Sequence, residues 1–232
     1  MAAVDPLTVL EAAAAPPLHI PDGFVSLPVA AAGWAAAACA VVVAARRADR
    51  HLDERAAPLM GVMAAFIFAA QMVNFPVAGG TSGHLLGGAF AAILLGPWAA
   101  IIVMTAVVAL QALIFQDGGL AAAGLNTLNL AVVSVLTGWA AYRALHSLRV
   151  LHPAAAAIAA FGGAWLSVEA AAVATALELA ASGTSPLEVA LPAMAGVHVP
   201  IGIAEGLITL GALGLVRAWR PDLLASPSQA SR

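Results

Sequence analysis

The sequence predicts an all-α fold, a polytopic membrane bundle of seven transmembrane segments with its N-terminus outside. Composition is the first observation: apolar residues make up 62% of the 232 residues and charged residues only 9%. An ordinary soluble domain has roughly 45–50% apolar and 25% charged residues. A chain so poor in charge cannot cover its surface with polar groups, so most of that surface must face lipid. The spacing of apolar segments and the placement of Arg residues are the other two observations.

Seven apolar segments follow one another along the chain. They cover residues 27–45, 59–75, 84–95, 98–115, 120–142, 154–181 and 193–216. About 20 apolar residues are needed for a helix to cross a hydrocarbon core of about 30 Å. The segment 84–95 is short and ends at Gly96-Pro97, where the helix should break. We count it as a crossing because non-helical backbone is tolerated when it is buried within a bundle.

The arginines predict the orientation of the bundle. All nine basic residues are Arg, and they follow the first span, precede the sixth and end the chain. Cytoplasmic loops collect basic residues. Seven crossings with the N-terminus outside place all three Arg clusters in the cytoplasm, whereas six crossings export at least one of them. We therefore predict seven crossings of the cell (inner) membrane.

Several classes of function are excluded by the sequence. It has no basic surface typical of nucleic-acid binding, and its single cysteine, Cys39, cannot form a Cys-rich metal site. No P-loop is present, so an ATPase would have to be a separate chain. We predict three regions: an extension at 1–17 without the basic start of a signal peptide, a membrane-embedded domain at 18–218, and a cytoplasmic tail at 219–232.

Two segments on the predicted outer face are rich in polar and special-backbone residues. One is HIPDGF at 19–24, and the other runs from 71 to 84 through Pro76 and the pair Gly79-Gly80. Paired glycines let the backbone turn tightly and approach a ligand closely. His19 and His84 offer two imidazoles to a transition metal. The alternative is that both histidines are interfacial or capping residues and that the glycines form only a turn.

Further polar residues lie inside the predicted spans. They are Asn126, Thr127, Asn129, Glu169, Glu178, His198 and Glu205. Carboxyl groups in a span normally face the bundle interior, so we expect these to be structural groups that hydrogen-bond between helices. The same role is the default for the asparagines. His198, near the outer end of the last span, is a candidate for supporting the metal site.

At these motifs the sequence resembles the CbiM/NikM family, the substrate-specific membrane components of energy-coupling-factor importers for cobalt and nickel. The first block resembles the family's amino-terminal Met-His-Ile-Pro-Asp-Gly signature, and residues 71–98 resemble its central loop and helix. Similarity continues through QDGG at 116–119, NTLN at 126–129 and residues 198–209. The likeness spans residues 18 to about 218.

The resemblance implies a metal site with nitrogen ligands near the outer surface. Its ligands would be the amine of Leu18, the amide and imidazole of His19, and the imidazole of His84. Such a square of nitrogens suits Ni(II), and the transported substrate would be Ni(2+) or Co(2+), with no organic cofactor. Outer-shell hydrogen bonds must hold the imidazoles. The candidates for that role are Asp22, Asn74, Thr81, Ser82 and His198.

The chain departs from the family pattern at its start. Leu18 stands where the family has its initiating Met, and seventeen residues precede it. An amine ligand at position 18 is chemically impossible while Pro17 is joined to it. Our hypothesis is that translation starts at codon 18, or that proteolysis before Leu18 frees the same amine.

The resemblance also implies partners in the lipid bilayer and the cytoplasm. These are an energy-coupling transmembrane protein, two ATPase subunits and a small accessory membrane protein. Two alternatives stay open, a vitamin-binding subunit of the same importer class and a membrane metalloenzyme, although the chain has no HExxH motif. A structural subunit would not need the two histidines with their glycines. The sequence does not separate nickel from cobalt.

Overall fold

The computed structural model describes residues 19–48, 56–73, 75–76, 82–147 and 154–224. These residues form seven helices, one for each predicted segment. They are α1 (Leu27–Ala48), α2 (Ala56–Gln71), α3 (Gly88–Leu95), α4 (Pro97–Ile114), α5 (Ala123–His146), α6 (Ala155–Ala181) and α7 (Leu187–Trp219). A 3-10 turn, Pro221–Leu224, follows α7. The predicted all-α fold is confirmed.

Five of the seven helices are long and apolar enough to cross a membrane, namely α1 and α4 to α7. Helix α2 is shorter, and α3 has only eight residues, which span about 12 Å. Before α3, residues 84–87 are buried but not helical. The prediction of helix at 84–87 is therefore wrong. The backbone of residues 86 and 87 instead forms hydrogen bonds with the buried side chains of Gln71 and Glu205. The chain is a multi-pass membrane protein.

A short hairpin joins α2 to the buried segment before α3. Its strands β1 (Phe75–Pro76) and β2 (Ser82–Gly83) pair antiparallel, with Phe75 opposite Gly83. The hairpin returns the chain to the bundle at His84. It thus determines where the second predicted histidine enters the fold.

Helix α4 lies at the centre of the bundle. Its side chains Ile101, Met104 and Val107 are almost completely buried and pack in one core with Ile67 of α2 and Val135 of α5. Helices α1 and α7 keep large apolar side chains exposed, as lipid-facing helices do. The elements that carry the site are therefore anchored on a buried central helix.

Helix α7 is longer than predicted, because its helical segment starts at Leu187 rather than near 193. The residues between the predicted spans 154–181 and 193–216 are therefore helical from 187. Pro192 and Pro200 lie inside the helix, which membrane helices tolerate because neighbouring groups satisfy the freed carbonyls. Gly202 and Gly206 let α7 approach α6 closely: an added Cβ would lie 2.7 Å from Trp165 and 2.5 Å from Phe161.

Helix α5 contains a π-helical segment, Leu128–Val133. Within it, the Asn129 amide donates to the Thr175 hydroxyl at 3.1 Å and to the Glu178 carboxylate at 2.7 Å, both on α6. These contacts confirm the predicted interhelical hydrogen bonds of Asn129 and Glu178. They lock α5 to α6.

Candidate metal site

The segment that carries His19 is clamped by the start of α5. The Ile20 N–H donates to the Asn126 side-chain oxygen at 3.0 Å, and the Asn126 amide donates to the Ile20 carbonyl at 3.1 Å. The Gly119 N–H donates to the same carbonyl at 2.9 Å. Because both backbone groups of Ile20 are engaged, the position of His19 beside it is fixed. We call residues 19–22 and their partners the His19 clamp.

Asp22 closes the other end of this clamp. Its carboxylate accepts hydrogen bonds from the N–H groups of Leu120, Ala121 and Ala122, at 3.1, 2.8 and 3.4 Å. These are amides just before α5, where a carboxylate is favoured by the helix dipole. Asp22 was predicted to support the imidazoles through hydrogen bonds, but its described bonds are to this backbone. It acts as a capping residue from a distant part of the chain.

The imidazole of His19 is buried beside Asp117. Its Nδ1 lies 3.3 Å from the Asp117 carbonyl oxygen and 3.7 Å from the Asp117 carboxylate. Since a carbonyl only accepts, Nδ1 carries the hydrogen and Nε2 keeps its lone pair. Nε2 is buried and has no hydrogen-bond partner among the described residues. Burial lowers the pKa of His19, while Asp117 opposes that shift, so the neutral, metal-binding form is favoured.

His84 lies in the non-helical segment 84–87 before α3. We call this segment and the two side chains that hold it, Gln71 and Glu205, the His84 cradle. Nδ1 of His84 donates to the Leu85 carbonyl at 2.8 Å. This bond fixes the tautomer in which Nε2 carries the lone pair. The Gln71 amide donates to the Leu86 carbonyl at 2.7 Å, and Glu205 accepts from the Leu86 and Gly87 amides.

The structure brings the two histidine rings into contact. Their centroids are 5.4 Å apart, with the ring planes at 87°. A ring centre lies about 3.2 Å from an ion bound to its nitrogen, so two rings on one ion are roughly 4.5 Å apart at a right angle and roughly 6.4 Å apart when opposite. The observed spacing falls between these limits. Two imidazoles at this separation are therefore within reach of a single ion.

No group of three or more His, Cys, Asp or Glu that could hold a metal ion occurs within the described ranges. His19 and His84 thus form a pair that needs further ligands. Leu18, the predicted amine ligand, lies outside the described residues. That the pair binds metal stays a prediction.

The other predicted supporting residues have different outcomes. Asn74 and Thr81 lie outside the described residues, and only the backbone of Ser82 is described, in β2. His198 donates from Nδ1 to the Met194 carbonyl of its own helix at 2.7 Å. It is close enough to His84 to interact with it electrostatically. Its predicted supporting role stays a prediction.

Sequence reasoning assigned no site role to Asp117, Gln71 and Glu205. Asp117 lies in the QDGG motif, where Gln116 and Gly118 have positive φ angles of 55° and 94°. Strained backbone of this kind clusters at functional sites. The glycines of the QDGG motif are therefore a sequence signal that could have pointed to Asp117. Gln71 is completely buried and accepts a 2.8 Å hydrogen bond from Gln111 of α4. Gln71 and His84 are the two ends of the segment 71–84, whereas nothing local in the sequence links Glu205 to His84.

Comparison with known proteins decides the family. The model of CbiM, the cobalt uptake substrate-specific transmembrane region, matches residues 19–223. The chain belongs to the CbiM family. The match covers the His19 clamp, the His84 cradle and all seven described helices.

Relatives of this CbiM-family chain include proteins named for metal transport. It is 44% identical over 209 residues to a putative metal transport protein of Haloquadratum walsbyi, covering 89% of this chain and 93% of that protein. It is 38% identical over 209 residues to a putative fused nickel transport protein NikMN of Archaeoglobus fulgidus, covering 89% of this chain and 68% of that protein. The chain is therefore a membrane component of metal transport, as predicted.

A crystal structure of a truncated transition metal transporter has the same fold. It superposes with a TM-score of 0.76 at 35% sequence identity, over 86% of this chain and 98% of that one. The fold of this CbiM-family chain is thus shared with a solved transporter.

Proposed function

We propose that this chain is the substrate-capture subunit of an energy-coupling-factor importer and that it binds Ni(2+) or Co(2+) between His19 and His84. The observation that carries the proposal is the spacing of the two rings, 5.4 Å between centroids, in a buried setting. Nitrogen donors of this kind suit both ions. The predicted orientation places the pair at the outer end of the bundle, where it would take hydrated metal and exchange its waters for nitrogens.

The amine of Leu18 would complete the metal site after residues 1–17 are removed or never made. The amine, the amide nitrogen and the imidazole of His19 then close two fused chelate rings, and His84 supplies the fourth nitrogen. The six-membered chelate ring uses Nδ1 of His19, so metal would replace the contact of Nδ1 with Asp117. If residues 1–17 are kept, Nε2 of His19, which has no hydrogen-bond partner among the described residues, would be the donor to the metal.

Energy for transport would come from other chains. An energy-coupling transmembrane protein and two ATPase subunits would use ATP hydrolysis to reorient this subunit and release the ion inside. A small accessory membrane protein would complete the complex. The family assignment and the lack of a P-loop in this sequence support this division of labour.

The variant His84→Ala tests the metal site. We expect it to abolish high-affinity binding of nickel and cobalt in calorimetric titrations, because half of the imidazole pair is removed. His146→Ala is the matched control, since His146 stacks on Tyr142 at the far end of α5 and should bind metal like the wild type. Unchanged binding by His84→Ala, with a normal thermal transition, would refute the site.

Intact-mass spectrometry of the purified chain tests the amine. We expect a mature chain that begins at residue 18. A chain that retains residues 1–17 yet binds metal tightly would reject the amine ligand. In that case a titration of His19→Ala would still report on the imidazole pair.

A further inference from the structure

Glu205 of α7 is a carboxyl group buried inside the bundle, only 1% exposed. Its two oxygens accept hydrogen bonds from the N–H groups of Leu86 and Gly87, both at 2.8 Å. These amides belong to the second and third residues after His84. Hydrogen bonds to a charged acceptor are stronger than neutral ones, so α7 holds the backbone that carries a candidate metal ligand.

The non-helical segment needs this partner. Residues 84–87 are buried and outside any helix or strand, and an unsatisfied backbone group costs several kcal/mol in the interior of a membrane protein. Gly87, with φ of 82°, begins the turn into α3, and a carboxylate is favoured at the amino end of a helix. Glu205 therefore allows the chain to remain unwound between His84 and α3.

One peptide group connects Glu205 to His84. The Leu85 carbonyl and the Leu86 N–H belong to the same planar peptide unit. Its oxygen accepts from Nδ1 of His84 at 2.8 Å, and its N–H donates to Glu205 at 2.8 Å. Hydrogen bonds in such a chain polarise one another. The carboxylate thus acts on the imidazole through one peptide, in the way that a directly bonded carboxylate orients a metal-binding histidine.

We propose that Glu205 is a positioning residue of the metal site, which orients the His84 imidazole and strengthens it as a donor through the peptide between residues 85 and 86. This inference rests on the proposed function, because it concerns the ligand His84. Gln71 holds the next peptide from the opposite side, at the Leu86 carbonyl. Together, the Glu205 carboxylate and the Gln71 amide fix the position of the backbone at residues 86 and 87.

The variant Glu205→Gln tests the inference. The amide has nearly the same shape, but it loses the charge and turns an NH2 group toward one of the two backbone donors. We expect nickel affinity in calorimetric titrations to fall about 10- to 100-fold, the usual range for residues that support a metal ligand. We also expect the visible absorption band of bound Ni(II) to move to longer wavelength, because a weaker donor gives a weaker ligand field.

Glu178→Gln is the matched control. Glu178 also lies in a membrane helix, but it accepts from the Asn129 side chain rather than from the backbone near a histidine. We expect its affinity and absorption band to match those of the wild type. A lowered unfolding temperature for Glu205→Gln with unchanged affinity and spectrum would overturn the inference, since Glu205 would then be only structural.

Two further variants distinguish a failure of the proposed role of Glu205 from a failure of the proposed metal site. If Glu205→Gln does not fold, Glu205→Asp keeps the charge and shortens the side chain: a weaker affinity with a shifted band supports the inference, and wild-type values overturn it. His84→Ala is measured in parallel. Loss of binding in His84→Ala beside unchanged binding in the Glu205 variant refutes only the role of Glu205, whereas binding by His84→Ala refutes the site itself.

Discussion

The His19 clamp and the His84 cradle hold two neighbouring imidazoles by different means. The clamp is built from a short stretch of chain, residues 117–126, folded against residues 19–22, and part of it is exposed. The cradle is buried and depends on Gln71 and Glu205, from two separate helices. One histidine is thus held by a partly exposed contact between two chain segments, and the other by the packing of the bundle.

This difference predicts how the loss of a hydrogen-bond partner affects the support of each histidine. A hydrogen bond at an exposed position can be replaced by water, so its loss costs little. A buried backbone group has no such substitute. We therefore expect graded effects within the clamp, according to how deeply each partner is buried, and uniformly large effects in the cradle.

Asn126→Ala should have the largest effect of the clamp substitutions. Asn126 is 3% exposed and holds the Ile20 N–H. Without it that donor is buried and unpaired, which costs about 1–3 kcal/mol of the free energy of unfolding. We expect nickel affinity to fall about 10- to 100-fold in calorimetric titrations, because the adjacent His19 loses its support.

The matched control for that substitution is Asn129→Ala on the same helix. Asn129 bonds to Thr175 and Glu178 of α6 rather than to the clamp. Its loss should lower the unfolding temperature and leave the metal affinity unchanged. Equal losses of affinity in the two variants would mean that general stability, and not the clamp, governs metal binding.

Gly118→Ala should have the next largest effect. At Gly118 an added Cβ would lie 2.9 Å from the Cβ of His19 and 2.9 Å from the Asn126 amide. The methyl group would push His19 out of place, so we expect about tenfold weaker nickel binding, the low end of the range for residues that support a ligand. Calorimetric titration and thermal unfolding of the same samples measure both effects.

Gly183→Ala controls for backbone strain. Gly183 also has a positive φ, 72°, but an added Cβ would meet nothing within 4 Å. Both variants carry the strain of a left-handed residue, about 1–2 kcal/mol, and only Gly118→Ala contacts the clamp. If both bind nickel like the wild type, the spacing at His19 does not limit the metal site.

The sequence was sufficient for the fold because membrane insertion leaves a strong pattern. Seven apolar segments predicted seven helices, and the bounds of α1, α4 and α6 agree to within three residues. Helix α7 was predicted too short because prolines that would end a helix in water are tolerated inside a bundle. Helix propensities alone do not take into account whether a proline lies inside a membrane bundle.

The site was less completely predictable. His19 and His84 could be paired from the sequence because each adjoins a motif of special-backbone residues on the same predicted face. His19 begins one such motif, and His84 ends the other. Glu205 could not be assigned to His84, because its hydrogen bonds to residues 86 and 87 join positions 119 and 118 apart in the chain. The hydrogen bonds of Asp22 could not be predicted for a related reason: its partners are backbone amides, which leave no trace in the residue types.

Asp22→Ala should have the smallest effect of the three clamp substitutions. The bonds from Asp22 to the amides of Leu120 and Ala121 are exposed, so water can take the place of the carboxylate. Loss of a capping carboxylate typically costs about 1 kcal/mol, and we expect the nickel affinity to fall less than about fivefold, since a 1 kcal/mol change is about that factor. Asp222→Ala is the control, because that exposed carboxylate bonds only to Arg220 among the described residues. If Asp22→Ala weakens nickel binding as much as Asn126→Ala, burial does not grade the clamp, and the whole segment 19–22 must act as one unit.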